Sequence, residues 1–212
     1  MEDFAKIGQK CRVFIYGPFS VLDQDGNDLT PRNQKSRAVL AMLAVAPRGS
    51  RSRAWLRDKL WSDRAEEQGS ASLRQALLDI RKSLGPALRD VLFADKYTVT
   101  LDLSQVAVDL VDYLSSEPFG QANSSIDPDN VSEFFLEGID IRDPEFESWL
   151  TMERQVWGQR FRAHSASAKG DGEAGAGQMP DLSDSFSPKS HVEPSKSESA
   201  ERRGYDGHSR WV

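Results

Sequence analysis

Apolar and polar positions follow two different rhythms along the first hundred residues. Residues 13–16 and 19–22 are short apolar runs broken by Gly17-Pro18, which predicts two short strands. Asp25-Gly26-Asn27 marks a turn, and residues 28–30 can add a third short strand. From residue 35 to 46 the rhythm turns helical, with Ala38, Leu40, Ala41, Leu43 and Ala44 apolar, until Pro47-Arg48-Gly49 ends it. A second helix carries Trp55, Leu56, Leu60 and Trp61 as core positions, with Ser50 or Ser52 as cap and Ser62-Asp63 as break. In a third helix Leu73, Ala76, Leu77, Ile80 and Leu84 recur at helical spacing, from a start near Gly69-Ser70 to a stop at Gly85-Pro86. Residues 92–94 and 97–101 then form a β-ribbon around Asp95-Lys96, because Tyr97, Val99 and Leu101 alternate with threonines.

Beyond this block the pattern weakens. Residues 108–115 suggest a short helix, and residues 118–130 are polar and turn-rich. A stronger helix follows at Pro144, capped by Asp143, with Phe146, Trp149, Leu150, Glu153, Val156 and Trp157 on helical spacing. After His164 aliphatic residues nearly vanish, so the tail is expected to be disordered. The chain divides into residues 11–108, 109–163 and 164–212, with residues 1–10 as a loose leader. The apolar face of Phe146, Trp149, Leu150 and Trp157 needs a cover. Docking on the 11–108 block is the first expectation, and self-association as a homodimer the second.

Charge sharpens this division. The total of −6 over 212 residues argues against a nucleic-acid partner only while it is left undivided. Residues 31–82 carry 12 Lys+Arg against 5 Asp+Glu, whereas residues 110–157 carry 2 against 11. The basic excess coincides with the three helices, where it can release counter-ions from DNA phosphates. The single cysteine, Cys11, excludes an internal disulfide framework and a Cys-rich zinc site. The start lacks the apolar core of a signal peptide, and no apolar run approaches the roughly 18 residues of a membrane span, so a cytoplasmic protein is expected. His164, His191 and His208 are too scattered to hold a metal, and residues 170–177 (GDGEAGAG) lack the Lys-Ser/Thr of a phosphate loop. No carboxylate is matched to a nucleophile. Neither a catalytic role nor a cofactor is expected.

The third helix presents the most specific chemistry. Its stripe is apolar on one side, while Arg74, Gln75, Arg81 and Lys82 fall on the other. A helix of this kind backed by a β-ribbon suits the DNA major groove, and the element order predicts a winged helix of α+β class. Arg74 and Gln75 are the base-edge readers, since Arg pairs with guanine and Gln with adenine in two-bonded geometry. Ser72 joins them and Ser70 joins the phosphate set, each with helix capping as its plainer role. Arg81 and Lys82 meet phosphate, which positions without specifying. Lys35, Arg37, Arg51, Arg53 and Lys96 complete the phosphate set, against simple solubility as the alternative. Leu78 is out of place on the outer side. A thymine methyl contact and a packing role both fit it.

FIYGPFSVLDQDGNDL, KSRAVLAMLAV, RAWLRDKLWSD, ASLRQALLDIRKSLG and YTVTLDLSQVAVDL come in an order that resembles the N-terminal half of SARP-type (Streptomyces antibiotic regulatory protein) transcriptional activators. FLEGIDIRDPEFESWLTMERQ resembles the opening of the bacterial transcriptional activation domain that follows in those proteins. The resemblance covers about residues 11–163. It implies an OmpR/PhoB-like winged helix-turn-helix with an N-terminal antiparallel sheet, three helices and a C-terminal wing. It also implies binding of double-stranded promoter DNA and recruitment of RNA polymerase. In the family the activation domain continues as tetratricopeptide-like hairpins, whereas this chain enters low-complexity sequence after about His164. A protein-interaction module and a truncated remnant of a regulator therefore stand as alternatives.

Overall fold

Cys11, Val13 and Ile15 are buried in alternation, which places β1 (Cys11–Phe14) at the centre of a first sheet. The computed structural model describes residues 8–115 and 126–170. On one side β1 pairs antiparallel with β2 (Ser20–Asp23), Cys11 opposite Asp23 and Phe14 opposite Ser20. On the other it pairs in parallel with β6 (Val106–Val108), Cys11 opposite Val106. The sheet expected to be purely antiparallel is therefore mixed, because a strand that follows the ribbon returns to its edge. Residues 28–30 add no strand; Asp28 makes one isolated bridge to Leu22.

α1 (Gln34–Ala44) starts at Asn33, whose side chain accepts from the backbone N–H groups of Lys35 and Ser36. Every residue from Ala38 to Ala44 is buried, so the last two turns of this helix are enclosed on all sides. A 3-10 turn, Pro47–Gly49, leads out of it into β3 (Ser50–Ser52). Gly49 sits at φ 68°, and a Cβ there would lie 2.1 Å from the Leu101 carbonyl oxygen, so only glycine fits. β3 pairs with β5 (Thr98–Leu101), which pairs with β4 (Leu92–Ala94), giving a second sheet in the order β3-β5-β4. The expected two-stranded ribbon is thus three-stranded.

Ser52, one of the two expected caps, accepts from the Trp55 N–H and opens α2 (Arg53–Leu60). α3 runs over Glu66–Leu84, three residues earlier than the expected start near Gly69. Gly69 is not a helix boundary. It lets α2 approach, since a Cβ there would lie 2.6 Å from Arg57 Cγ. Leu73, Ala76, Leu77, Ile80 and Leu84 are all buried, as the stripe requires, and α3 ends at Gly85. A 3-10 turn at Pro86–Val91 follows and buries Leu88 and Val91.

The segment after β6 packs onto the same core. α4 (Asp109–Ser115) is followed by α5 (Val131–Phe134) and α6 (Pro144–Gly170). Leu136 N–H donates to the Ile15 carbonyl and Gly17 N–H to that of Phe134, which ties this segment to the end of β1. Asp143 accepts from the Glu145 N–H at the start of α6, and also from the backbone N–H and hydroxyl of Ser62 at 2.9 and 2.8 Å. Lys59 forms an ion pair with Glu145 beside it. Phe146, Trp149, Leu150 and Trp157 are buried, so the face that needed a cover is covered within the chain. Trp157 stacks on Phe135 at 6.4 Å and Phe161 on Tyr113 at 4.7 Å. α6 is helical to Gly170, past the expected limit at residue 164, and His164 meets the Tyr113 ring edge-on at 5.8 Å. Residues 1–7, 116–125 and 171–212 lie outside the described residues, and with them most of the expected leader and tail and part of the 118–130 segment.

Asp109 links the two parts of this core. Its carboxylate accepts from the N–H groups of Ile15, Tyr16 and Leu110 at 2.7–3.0 Å. Burial nevertheless outweighs those donors and raises its pKa from 3.8 to about 6. A carboxyl group raised on folding binds its proton more tightly in the native state. Its contribution is complete below pH 3.8 and lost as pH rises through about 6, amounting to about 3 kcal/mol. Denaturant titrations of the wild type and Asp109→Asn between pH 4 and 7 should therefore show the wild type losing most of that relative to the variant. Parallel pH profiles would remove Asp109 as the cause.

Candidate nucleic-acid interface

α3 turns its buried stripe inward and leaves Gln68, Ala71, Arg74, Gln75, Leu78 and Lys82 exposed on the opposite side. Because the helix begins at Glu66, Arg74 is its ninth residue and stands near the middle rather than at the N-terminus. The first turn holds Glu66 and Glu67, which suit the positive end of the helix dipole. Positive charge gathers further along. Arg81 and Lys82 share the C-terminal end with Arg89, a cation that the sequence pattern did not single out because it sits in the 3-10 turn.

The outer surface of α3 has two flanks. Towards the second sheet, Arg74, Leu77, Leu78 and Arg81 line a shallow groove of about 280 Å³ with Arg53 and Ala94. Towards α1, Ser72, Gln75 and Asp79 line a polar cleft of about 610 Å³ with Asn33, Gln34, Lys35 and Arg64. Arg74 and Gln75, neighbours in sequence, thus overlook different clefts. Among the described residues, none forms a hydrogen bond or ion pair with the side chain of Arg74, Gln75, Arg81 or Lys82.

Other members of the expected set are already engaged inside the protein. Ser70 accepts from Arg57 at 3.1 Å and Ser72 from Arg64 at 2.8 Å. Both serines lie within α3, so neither caps it. Arg57 also pairs with Glu66 at 2.9 Å. Arg57 and Arg64 therefore brace the α2–α3 turn, a role invisible to periodicity because their partners come from the next helix. Lys35 donates to the Leu60 carbonyl and lies over the Trp61 ring at 5.1 Å. Burial first, then the Arg64 charge, push its ammonium pKa below the ordinary lysine value. Arg37 donates to the Pro31 carbonyl at 2.6 Å.

Arg51 and Arg53 flank the cap of α2. The Arg51 guanidinium lies 4.4 Å from the Trp55 ring, and Arg53 donates to the Asp95 carbonyl at 3.2 Å. Asp95 builds the ribbon corner by accepting from the N–H groups of Tyr97 and Thr98 and from the Thr98 hydroxyl. Those bonds hold its carboxyl below the usual range. Lys96 sits at the exposed corner, over Tyr97 at 5.3 Å. Arg53 thereby joins α2, the ribbon corner and the α3 groove.

The described residues thus define a mixed α+β unit that carries one cationic helix face beside a three-stranded sheet. They contain no group of three or more His, Cys, Asp or Glu side chains able to hold a metal ion. None of their helices is long and apolar enough to cross a membrane. No protein-family model and no curated protein matches the sequence. Among solved structures, the chain is similar to Mycobacterium tuberculosis EmbR in complex with a low affinity phosphopeptide, at 19% identity and a TM-score of 0.47. That alignment covers 76% of this chain and 43% of EmbR, so the chain spans less than half of the longer protein.

Proposed function

We propose that this chain is a sequence-specific, DNA-binding transcriptional regulator of SARP type, not an enzyme, acting in the cytoplasm. Residues 11–108 serve as an OmpR-like winged helix, with α3 in the major groove and the β4–β5 corner as the wing. The observation that carries this reading is the outer face of α3. Four polar or cationic side chains there have no partner in the described chain, beside a three-stranded sheet. Double-stranded DNA supplies both kinds of missing partner, base edges for Arg74 and Gln75 and phosphates for Arg81 and Lys82. The acidic segment from Asp109 onward, locked to the α2–α3 turn through Asp143 and Ser62, serves to recruit RNA polymerase, so that the regulator is an activator.

Two substitutions separate base reading from phosphate binding. Arg74→Ala should weaken binding to a selected site by about 1–3 kcal/mol and binding to random duplex by less. Lys82→Ala should weaken both alike and reduce the salt dependence by about one unit of slope. Fluorescence anisotropy on selected and random duplexes measures both. Equal losses for Arg74→Ala on the two duplexes would move Arg74 to the phosphate set.

A further inference from the structure

Leu78 is a large apolar side chain on a mostly polar helix face. It is 56% exposed, while Leu77 beside it is 2% exposed and belongs to the core. A lone exposed leucine is ordinary on a protein surface. Leu78, however, lines the same groove as Arg53, Arg74 and Arg81, with Ala94 of the ribbon opposite. Within α3 it lies four residues after Arg74 and four before Lys82, so these three share one outward stripe. Unlike Leu77, it is not part of the buried core.

A duplex laid on this face would bring one apolar group within reach of the leucine. In the major groove only thymine offers one, its 5-methyl, while the other base edges present donors and acceptors. We propose that Leu78 is a specificity-determining residue that packs against a thymine methyl group between the base read by Arg74 and the phosphate held by Lys82. This rests on the DNA-binding reading above and adds a requirement to it. The preferred site must contain a thymine whose methyl group, rather than its hydrogen-bonding edge, is recognised.

The test uses the full chain and the sequence it enriches from a random duplex pool. In a set of duplexes each thymine is replaced singly by uracil, which removes the methyl and leaves base pairing intact. One uracil position should weaken wild-type binding about fourfold, the weight of one buried methyl group. Leu78→Ala should lose a similar factor on the thymine site, show no further loss on that uracil duplex, and melt at the wild-type temperature. The uracil scan on the unaltered protein stands without any variant. An enriched site that lacks thymine, or a scan in which no uracil lowers wild-type affinity, overturns the proposal. So does a Leu78→Ala variant that keeps wild-type affinity and loses only self-association, which would make Leu78 a contact between copies. Failure to enrich any sequence would sink the DNA-binding reading itself, and this proposal with it.

Discussion

Leu77→Ala should destabilise the protein by about 2–5 kcal/mol, the range for truncating a well-packed core leucine. Leu77 is 2% exposed and stands on the inner stripe of α3 with Leu73, Ile80 and Leu84. Its loss leaves a cavity beneath the helix that carries the proposed recognition face. Below its lowered melting temperature the variant should still bind DNA, because Leu77 offers no polar group to a duplex. Denaturant titration followed by helical circular dichroism measures the change. An unchanged midpoint would mean that α3 is rotated about its axis, and Arg74 and Gln75 would then no longer point outward.

Phe161→Ala should cost about 3–5 kcal/mol and lower the stability of the whole unit, not of α6 alone. Phe161 is fully buried, stacks on Tyr113 of α4 and meets Trp157 at 6.4 Å. The same core continues through Phe135 to Ile15 and Val13 of β1. Tryptophan fluorescence reports on α6 through Trp149 and Trp157, and on the α2 region through Trp55 and Trp61. Unfolding measured by fluorescence and by circular dichroism should coincide and shift together. A variant in which the α6 signal is lost early while the α3 helix melts at the wild-type midpoint would contradict a shared core. A shared core also implies that a fragment ending near Leu110 uncovers Ile15, loses the hydrogen bonds that join Ile15 and Gly17 to Leu136 and Phe134, and is less stable than the full chain.

The parts of the fold that could be read directly from the sequence are those governed by local periodicity. The five apolar positions of α3 recur at 3.6-residue spacing and are all buried. Asp143 and Pro144 announce the start of α6 through the chemistry of a cap and a first-turn proline. What escaped was settled by distant partners. Ser50–Ser52 is a strand only because β5 lies beside it, since three polar residues carry no alternation. β6 pairs in parallel with a strand nearly a hundred residues earlier. The apolar pattern leaves out the first turn of α3 because residues 65–68 are all exposed, and because Gly69, which usually breaks a helix, here makes room for α2.

The candidate site divides in the same way. Which side of α3 faces outward follows from its stripe, so Arg74, Gln75 and Lys82 could be placed without a structure. Arg81 lies at the edge of that face and is half-buried. Which cations remain free is a tertiary matter. Lys35, Arg37 and Arg53 carry the same charge as Arg74 and Lys82, but carbonyl oxygens of other segments occupy them. Local charge alone could not separate the two groups.

The proposed function requires the outer face of α3 to bind duplex DNA through phosphates and base edges together. The most direct measurement is the affinity of the full chain for a sequence enriched from random duplex DNA, and for unselected duplex, across a series of salt concentrations. The expected result is a steep linear fall of log affinity with log salt on both duplexes, with the enriched sequence bound about a thousandfold or more tightly throughout. Binding that ignores salt, or enrichment that yields no preferred sequence, would contradict it.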